Sequence, residues 1–407
     1  MNVVRLRHLA RVNPLTPSFD RLADEDELTF LPMESVWPDD RLNISQRRTK
    51  AEVATGYTRF QDGDVLVPKI TPTFEAGRAV LIKGLFGRVG AGTTELHVVR
   101  PGPRIDSRFL LYVVSTHRFL KLGAAEMYGV AGQQRVPDGF LRDLPISLPS
   151  LDEQCRIADF LDHETGKIND LLSKKHLLLS LMDERIDSRV LGNVGLSQIV
   201  RPSTGGLTLP IRRLLTKVVR PPARESGVIT AYRDGQVTER TLRRADGYTL
   251  SASAAPQGQH VHVGDVVVHG LDGFAGAIGT SEASGNCSPV YHVCIPSGDG
   301  DAYFLGRLLR LLALQGYLGN FATSTRERAV DFRNWDLFGG IRIPVVPVAE
   351  QHEIGTWINQ MRPLRKAITR SEKLATERRQ ALITAAVTGQ FDVSTASGRN
   401  VTDGVQV

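Results

Sequence analysis

Two long stretches of the chain place apolar residues at alternating four- and three-residue steps. The first stretch covers roughly 35 residues and has its apolar positions at Ile157, Leu161, Ile168, Leu171, Leu178, Met182 and Ile186. The second has them at Ile354, Ile358, Met361, Ile368, Ala375 and Leu382. Such a heptad seam is typical of a long helix that packs along a partner helix. The pattern therefore predicts two long helices that pack antiparallel as a rod, with two ordinary core helices as the alternative.

Polar residues and one proline interrupt the second of these stretches. Arg365, Glu372 and Arg379 occupy positions of the apolar seam, which indicates imperfect packing or a face that meets another protein. Pro363 lies inside the same stretch and predicts a kink or a restart of the helix between Met361 and Leu364.

Five short segments of the first half recur in the second half, in the same order and at offsets of 195 to 205 residues. They begin at Leu6, Phe60, Leu96, Phe109 and Glu153, and their counterparts begin at Ile211, Val261, Tyr291, Phe304 and Glu350. One such match could arise by chance, whereas five in order at nearly one spacing indicate an internal duplication.

Each copy has the same predicted order of elements. A Gly-Asp turn leads into a β-branched strand, a second strand ends at a proline, and a helix follows, predicted at residues 108–122 and 302–318. We predict an α+β protein in which two tandem-duplicated α/β modules, with pseudo-twofold symmetry, are separated by the two coiled-coil-like helices. The expected boundaries are a first module at 1–147, a first helix at 148–195, a second module at 196–343, a second helix at 344–390 and a flexible tail at 391–407.

Length and composition limit the class of protein. The 407 residues, 41% of them hydrophobic and 23% charged, are too many for one core. The apolar runs are too short for a membrane helix, the N-terminus lacks the apolar segment of a signal peptide, and three cysteines do not make a disulfide scaffold. These features predict a soluble cytoplasmic protein. The net charge of +6 weakly favours a polyanionic partner.

A search for catalytic and metal-binding motifs gives no strong match. No G-x-x-x-x-G-K-[ST] loop or G-x-S-x-G elbow occurs, and the glycine cluster 87–92 precedes a strand, so we expect a turn there. Two groups lack paired C-x-x-C spacing and are expected on alternating strand positions: Cys287, His292 and Cys294, and His260, His262 and His269. A nuclease built from scattered carboxylates stays open as an alternative, because its ligands need not be adjacent in sequence.

Basic and polar loops occur at related places in both copies. Arg and Gln side chains suit contacts to guanine and adenine edges, and Lys and Arg suit phosphates. For a single cluster a solvated surface is the more common explanation, but the recurrence raises the expectation of DNA binding. The candidate DNA-binding residues are Arg47, Arg48, Lys50, Lys69, Gln133, Gln134, Arg135, Arg240, Arg243, Arg244, Arg326 and Arg328.

The starts of both long helices and the end of the second carry motifs of a known family. Pro149-x-Leu151-x-Glu153-Gln154-x-x-Ile157, Pro347-x-x-Glu350-Gln351-x-x-Ile354 and the run Thr376–Gln390, T-E-R-R-Q-A-L-I-T-A-A-V-T-G-Q, resemble the specificity (S) subunits of Type I restriction–modification systems, the HsdS family. The last motif is specific, and the likeness in repeat order, length and helix placement covers the full chain. The first helix departs from the family, since residues 183–192 are a degraded form of that ending.

The resemblance implies a non-catalytic subunit that reads a bipartite, asymmetric double-stranded DNA site, one half-site per module. The two helices would fix the gap and dock two methyltransferase subunits, and restriction–translocase subunits would complete the assembly. The expected partner-binding residues are Glu153, Gln154, Glu350, Gln351, Arg378 and Arg379. No cofactor is expected in this chain, because S-adenosylmethionine, ATP and Mg²⁺ would bind the partners. The alternatives are a self-contained DNA-modifying enzyme and a coiled-coil adaptor that does not bind DNA.

Overall fold

The computed structural model describes residues 2–38, 41–130, 132–194, 207–224, 226–243, 258–321, 331–390 and 392–393. The chain divides into two compact units. The first consists of Met1–Lys174 and Ser371–Val407, and the second of Lys175–Arg370. Both division points fall inside long helices, so each unit contains one segment of each long helix.

The strands of the first unit form three sheets among its described residues. These strands are β1 (Asn2–Arg5), β2 (Ala10–Val12), β3 (Glu27–Leu31), β4 (Arg47–Thr49), β5 (Thr58–Gln61), β6 (Val65–Pro68), β7 (Val80–Leu81), β8 (Val89–Gly92), β9 (Leu96–Pro101) and β10 (Pro145–Leu148). The order β2-β9-β6-β7 gives an antiparallel sheet, and β4-β3-β8-β5 gives a mixed sheet in which β3 and β8 run parallel. β1 and β10 pair antiparallel and bring the two ends of the module together.

The helices of the first unit begin with α1 (Pro17–Asp20), α2 (Ser107–Val114), α3 (His117–Ala125) and α4 (Asp138–Asp143). The long helix α5 (Leu151–Val194) follows β10 and continues into the second unit. Helices α2 and α3 occupy the region predicted as one helix at 108–122. That prediction was wrong in its continuity, because Ser115 ends the first helix and the Thr116 side chain caps the second by accepting from the Phe119 N–H.

The strands of the second unit repeat part of this plan. They are β11 (Thr208–Pro210), β12 (Leu215–Val218), β13 (Ile229–Ala231), β14 (Val237–Glu239), β15 (Gln259–Val261), β16 (Val266–His269), β17 (Ile278–Thr280), β18 (Gly285–Cys287), β19 (Tyr291–Pro296) and β20 (Arg342–Pro344). The antiparallel order β12-β19-β16-β17 matches β2-β9-β6-β7 strand for strand, and β11 pairs with β20 as β1 does with β10. These two shared sheets support the internal duplication inferred from the sequence offsets. The third sheet differs, because in the described residues β13 pairs with β14 and β15 with β18, where the first unit has the mixed sheet β4-β3-β8-β5.

The helices of the second unit are α6 (Ile211–Leu214), α7 (Ala302–Leu314), α8 (Trp335–Gly340) and the start of α9 (Val348–Thr388). The helix predicted at 302–318 ends at Leu314, and a 3-10 turn at Leu318–Phe321 follows it. Helix α9 continues through Pro363 without a break, so the restart predicted there is not observed. Most of the tail predicted at 391–407 lies outside the described residues.

The long helices are part of the globular cores of the two units. In the first unit Ile157 and Leu161 of α5 share one core with Phe109 of α2 and with Leu382 and Ile383 of α9. In the second unit Val190 of α5 and Ile354 of α9 share a core with Leu308 of α7 and Val266 of β16. The start of one long helix and the end of the other thus contribute to each core.

Candidate nucleic-acid interface

A buried aspartate fixes the Gly-Asp turn in both units. Asp64 accepts two hydrogen bonds from Arg100, both at 2.8 Å, and one from the Gln61 N–H at 2.9 Å. Asp265 accepts from Arg220 at 2.5 and 3.1 Å and from the His262 N–H at 2.7 Å. Each carboxylate is buried, and both of its oxygens accept hydrogen bonds. The arginine–aspartate pair of each unit is therefore a structural anchor that fixes the start of the strand after the turn, β6 or β16.

In each unit a buried histidine links the four-stranded antiparallel sheet to the loop that precedes a short helix. This helix is α4 in the first unit and α8 in the second. The Nε2 of His97 on β9 lies 2.9 Å from the Val136 carbonyl oxygen, and the Nε2 of His292 on β19 lies 2.6 Å from that of Phe332. Burial lowers the pKa of both imidazoles, which keeps the rings neutral near pH 7. In the first unit, His97 thereby holds one end of the loop that contains Gln133, Gln134 and Arg135.

That loop is paired with the segment after β6. The Gln134 N–H donates to the Thr71 hydroxyl at 3.0 Å, and the Thr71 N–H donates to the Gln134 carbonyl oxygen at 2.9 Å. The Val136 N–H donates to the Lys69 carbonyl oxygen at 2.8 Å. The fold therefore brings together Lys69, Gln133, Gln134 and Arg135, four of the residues predicted to contact DNA.

Arg135 has a fixed internal partner within this loop. Its guanidinium donates to both carboxylate oxygens of Glu95, at 2.9 and 2.8 Å, and these hydrogen bonds lower the pKa of Glu95. The backbone of Arg135 also pairs with Tyr128. Arg135 thus holds the loop in shape, while the side chain of Gln133 is exposed to solvent and is placed to contact a ligand.

The basic cluster at β4 is more strongly anchored than the sequence suggested. Arg48 lies 3.8 Å from the Phe30 ring centroid and donates to the Tyr57 hydroxyl at 3.2 Å. The Lys50 ammonium donates to the Leu22 carbonyl oxygen at 2.7 Å. Arg47 lies 4.0 Å from the Phe86 ring centroid and 3.9 Å from the Glu27 carboxylate, and its side chain is half-exposed.

An open cleft in the first unit connects these two groups of residues. It is lined by Asn13–Thr16, Asp20, Tyr57–Arg59, Lys69, Leu96 and Val98. Lys69 and Tyr57, the hydrogen-bond partner of Arg48, are both among its lining residues. The guanidinium of Arg59 in the wall is paired with Asp20 at 3.0 Å.

Three residues that the sequence analysis did not select form a further cluster in the first unit. The guanidinium carbons of Arg78 and Arg41 lie 3.3 and 4.7 Å from the ring centroid of Trp37. The Trp37 indole N–H donates to the Glu34 carbonyl oxygen at 2.9 Å. The four-residue spacing of Trp37 and Arg41 is visible in the sequence, but only the fold brings Arg78 to the same ring.

In the second unit the structure describes two of the five predicted DNA-binding residues. Arg243 lies 4.1 Å from the Tyr232 ring centroid and pairs with Asp234 at 2.8 Å. Arg240 begins the 3-10 turn Arg240–Leu242, and its N–H donates to the Val228 carbonyl oxygen at 2.8 Å. Arg244, Arg326 and Arg328 lie outside the described residues.

The predicted partner-binding residues divide into buried and accessible ones. Gln154 and Gln351 are 0% and 3% exposed, and their amides bond to backbone groups of their own units. A role for these two glutamines in contacting a partner was therefore a wrong prediction. Glu153, Glu350 and Arg379 are partly exposed and Arg378 is exposed, so they stay candidates for partner contacts.

Cysteine and histidine groups have packing roles in the described structure. Cys287 and Cys294 are buried, and burial raises the pKa of each thiol to about 12. His269 accepts from the N–H groups of Leu271 and Asp272 at 3.1 and 3.0 Å. Within the ranges described above, no three His, Cys, Asp or Glu side chains are placed to hold a metal ion.

None of the helices in the described ranges combines the length and apolarity needed to cross a membrane.

Two proteins of Escherichia coli are similar to part of the chain. The specificity subunit of the Type I restriction enzyme EcoEI is 40% identical over 157 residues, and that of EcoAI is 40% identical over 151 residues. These matches cover 38% and 37% of this chain but 26% of each relative. No family profile matches the chain.

Solved structures of similar arrangement extend over nearly the whole chain at low identity. The HsdS subunit of Thermoanaerobacter tengcongensis is 14% identical with a TM-score of 0.40, covering 96% of this chain and 97% of that one. The Type I restriction–modification S subunit of M. genitalium is 14% identical with a TM-score of 0.46, covering 95% and 96%.

Proposed function

We infer that the chain belongs to the specificity subunits of Type I restriction–modification systems, and we propose that it selects the DNA sequence on which such a complex acts. Three observations support this. A segment of the chain is 40% identical to two specificity subunits. The chain contains two units that share a four-stranded antiparallel sheet of the same strand order and a matching two-stranded sheet. The motifs at the starts of the two long helices occupy equivalent structural positions.

The observation that carries the proposal is a shared scaffold with different polar loops. Both units have the buried aspartate at the Gly-Asp turn, the buried histidine on the second strand and the buried glutamine at the start of a long helix. The corresponding polar loops differ in sequence: the first unit has Gln133, Gln134 and Arg135, and the second has Arg326 and Arg328, which lie outside the described residues. Two copies of one scaffold with unlike polar loops suit the reading of two different half-sites.

We propose that the first unit reads one half of an asymmetric, bipartite double-stranded DNA site and that the second unit reads the other. Exposed Gln and Arg side chains supply direct contacts to base edges, and Lys and Arg contact phosphates. Helices α5 and α9 set the spacing between half-sites and dock two methyltransferase subunits. Glu153, Glu350, Arg378 and Arg379 are the candidates for those contacts.

We propose that catalysis resides in the partner subunits. The methyltransferase subunits would bind S-adenosylmethionine, and restriction–translocase subunits would bind ATP and Mg²⁺. The Cys287 and Cys294 thiols are buried, with raised pKa values, so they are unsuited to nucleophilic chemistry. Since the proposed ligand is DNA, we expect the complex to work in the cytoplasm.

The experiment is a DNA-binding titration of the chain assembled with its methyltransferase subunits. We expect one bipartite sequence to be selected from a random pool, with an affinity that falls steeply as salt concentration rises. Binding of the pool without any sequence preference, or no binding at low salt, would contradict the proposal. The chain alone, given S-adenosylmethionine, ATP, Mg²⁺ and DNA, should neither methylate nor cleave.

A further inference from the structure

Trp37, Arg41 and Arg78 form a tryptophan–arginine cluster in the first unit, with both guanidinium groups within 5 Å of one indole ring. Cation–π attraction holds each guanidinium at the ring face. Two like charges on the same ring repel each other, and this repulsion is not offset by the ring alone. The arrangement therefore holds two positive charges close together at one aromatic platform.

Within the ranges that the structure describes, neither Arg41 nor Arg78 forms an ion pair, and Arg78 has a buried Nε with no hydrogen-bond partner. Burial, together with the charge of Arg41, lowers the pKa of Arg78. A buried donor without an acceptor costs free energy. An anion placed at the cluster would accept from the Arg78 Nε–H and reduce the repulsion between the two guanidinium groups.

Two other arginines that lie over aromatic rings are each paired with an aspartate. Arg59 lies over Phe19 and is paired with Asp20, and Arg243 lies over Tyr232 and is paired with Asp234. The tryptophan–arginine cluster differs from these two sites, because no carboxylate among the described residues is paired with either of its arginines. It is therefore the better candidate for an anion that comes from outside the chain.

The position of Arg78 indicates which anion. Arg78 belongs to the segment between β6 and β7 that also carries Lys69 and Thr71, and Thr71 is hydrogen-bonded to Gln134. We propose that the tryptophan–arginine cluster binds a backbone phosphate of DNA, in the same unit as the loop proposed to read bases. This assignment rests on the proposed function. A guanidinium presents its donors in a geometry that matches phosphate oxygens.

A contact to a phosphate strengthens the binding of every DNA sequence equally. Loss of the contact should therefore weaken binding without changing which sequence is preferred. With the complete complex, Arg41→Gln and Arg78→Gln should each weaken binding about tenfold, by the same factor for the selected and for unrelated DNA. Each should lower the slope of log affinity against log salt by about 0.9. The matched control is Arg142→Gln, which removes one exposed, ion-paired arginine of the same unit and should change affinity less than about twofold.

A scan with single methylphosphonate linkages then locates the phosphate, because each such linkage is uncharged. At one or two linkages neutralisation should weaken the wild-type complex about tenfold and the Arg41→Gln complex less than about twofold. Arg41 is exposed, so this variant keeps the test valid even where Arg78→Gln disturbs the packing on Trp37.

The outcomes separate this inference from the proposed function. If the wild-type complex binds DNA with steep salt dependence but both variants keep its slope, the phosphate assignment is wrong and the proposed function stands. If the variants change the preferred bases, the cluster reads bases and the assignment is also wrong. If the wild-type complex does not bind DNA at all, the proposed function itself fails.

Discussion

The side-chain oxygen of Gln154 accepts a hydrogen bond from the backbone N–H of Asp106 at 2.9 Å. Asp106 caps helix α2, so this contact ties the start of long helix α5 to the start of the helix that covers the sheet. The second unit repeats the contact, with Gln351 accepting from the Asp301 N–H at 3.2 Å and Asp301 capping α7. The glutamine of each Glu-Gln motif thus joins a long helix to its own module.

Replacing Gln154 with alanine should destabilise the first unit. The change leaves the Asp106 N–H and the carbonyl oxygens of Arg104 and Pro149 without their partner in a buried place. We expect a loss of about 2–4 kcal/mol in the free energy of unfolding, from unsatisfied buried groups. Glu153→Ala, on the same turn but partly exposed, should cost less than about 1 kcal/mol.

Thermal and denaturant unfolding of the two variants measure this difference. Gln351→Ala with Glu350→Ala as its control repeats the test in the second unit. Equal losses for the glutamine and the glutamate variants would show that the buried hydrogen bonds do not hold the helix to the module.

The stability of the protein should fall on acidification through the range where histidine titrates. Burial lowers the pKa of His97 and His292 below the ordinary value of 6.5. Between that value and the lower folded pKa, the unfolded chain binds more protons than the folded one, so stability falls as pH falls. The contribution of the two rings is fully present above about pH 7.

Melting curves at about pH 7.5 and pH 5.5 test this linkage. His97→Gln and His292→Gln should each show a smaller loss of stability between the two pH values than the wild-type chain. His163→Gln, which changes an exposed ring on α5, is the surface control for the substitution itself. Wild-type pH dependence in both buried-histidine variants would contradict the assignment.

Gln133 is expected to affect which bases are read more than how well the protein folds. Its side chain is exposed at the loop held by His97, Thr71 and Glu95. In Gln133→Ala, discrimination at one base pair of one half-site should fall by about 5- to 150-fold, the range for a lost bidentate contact. Stability should stay within about 0.5 kcal/mol of the wild type.

Competition binding with every single-base-pair variant of the selected site measures this discrimination. Lys121→Ala removes an exposed side chain of α3 in the same unit and serves as the control. If Gln133→Ala keeps the wild-type base preference at every base pair of the site, Gln133 does not contact a base.

Much of the fold could be predicted from the sequence, because the same pattern of elements occurs twice along the chain. The offsets between the Gly-Asp turns and between the prolines that end β9 and β19 predicted the matching sheets. The heptad spacing predicted α5 and α9 within a few residues of their ends. The break between α2 and α3 was missed, because Thr116 acts as a cap there and its apolar neighbours fit one continuous helix.

The candidate interface was predictable in part. The sequence indicated the loop with Gln133. It did not indicate that the Arg135 guanidinium is hydrogen-bonded to Glu95, which lies 40 positions away in the chain. From the sequence, Gln154 was predicted to contact a partner subunit. Its burial argues against this, and the burial results from the packing of α5 against the loop before α2, which the sequence does not reveal. The cluster at Trp37 depends on a contact with Arg78 that no local pattern reveals.

A module exchange measures the central claim, that each unit reads one half of a bipartite site. The first module of a relative with a different known target replaces residues 1–147, and residues 148–407 are kept. The readout is the methylated sequence in cells that also express the methyltransferase subunits. We predict a new first half-site, an unchanged second half-site and an unchanged gap. A change in both halves, or in neither, would contradict the account.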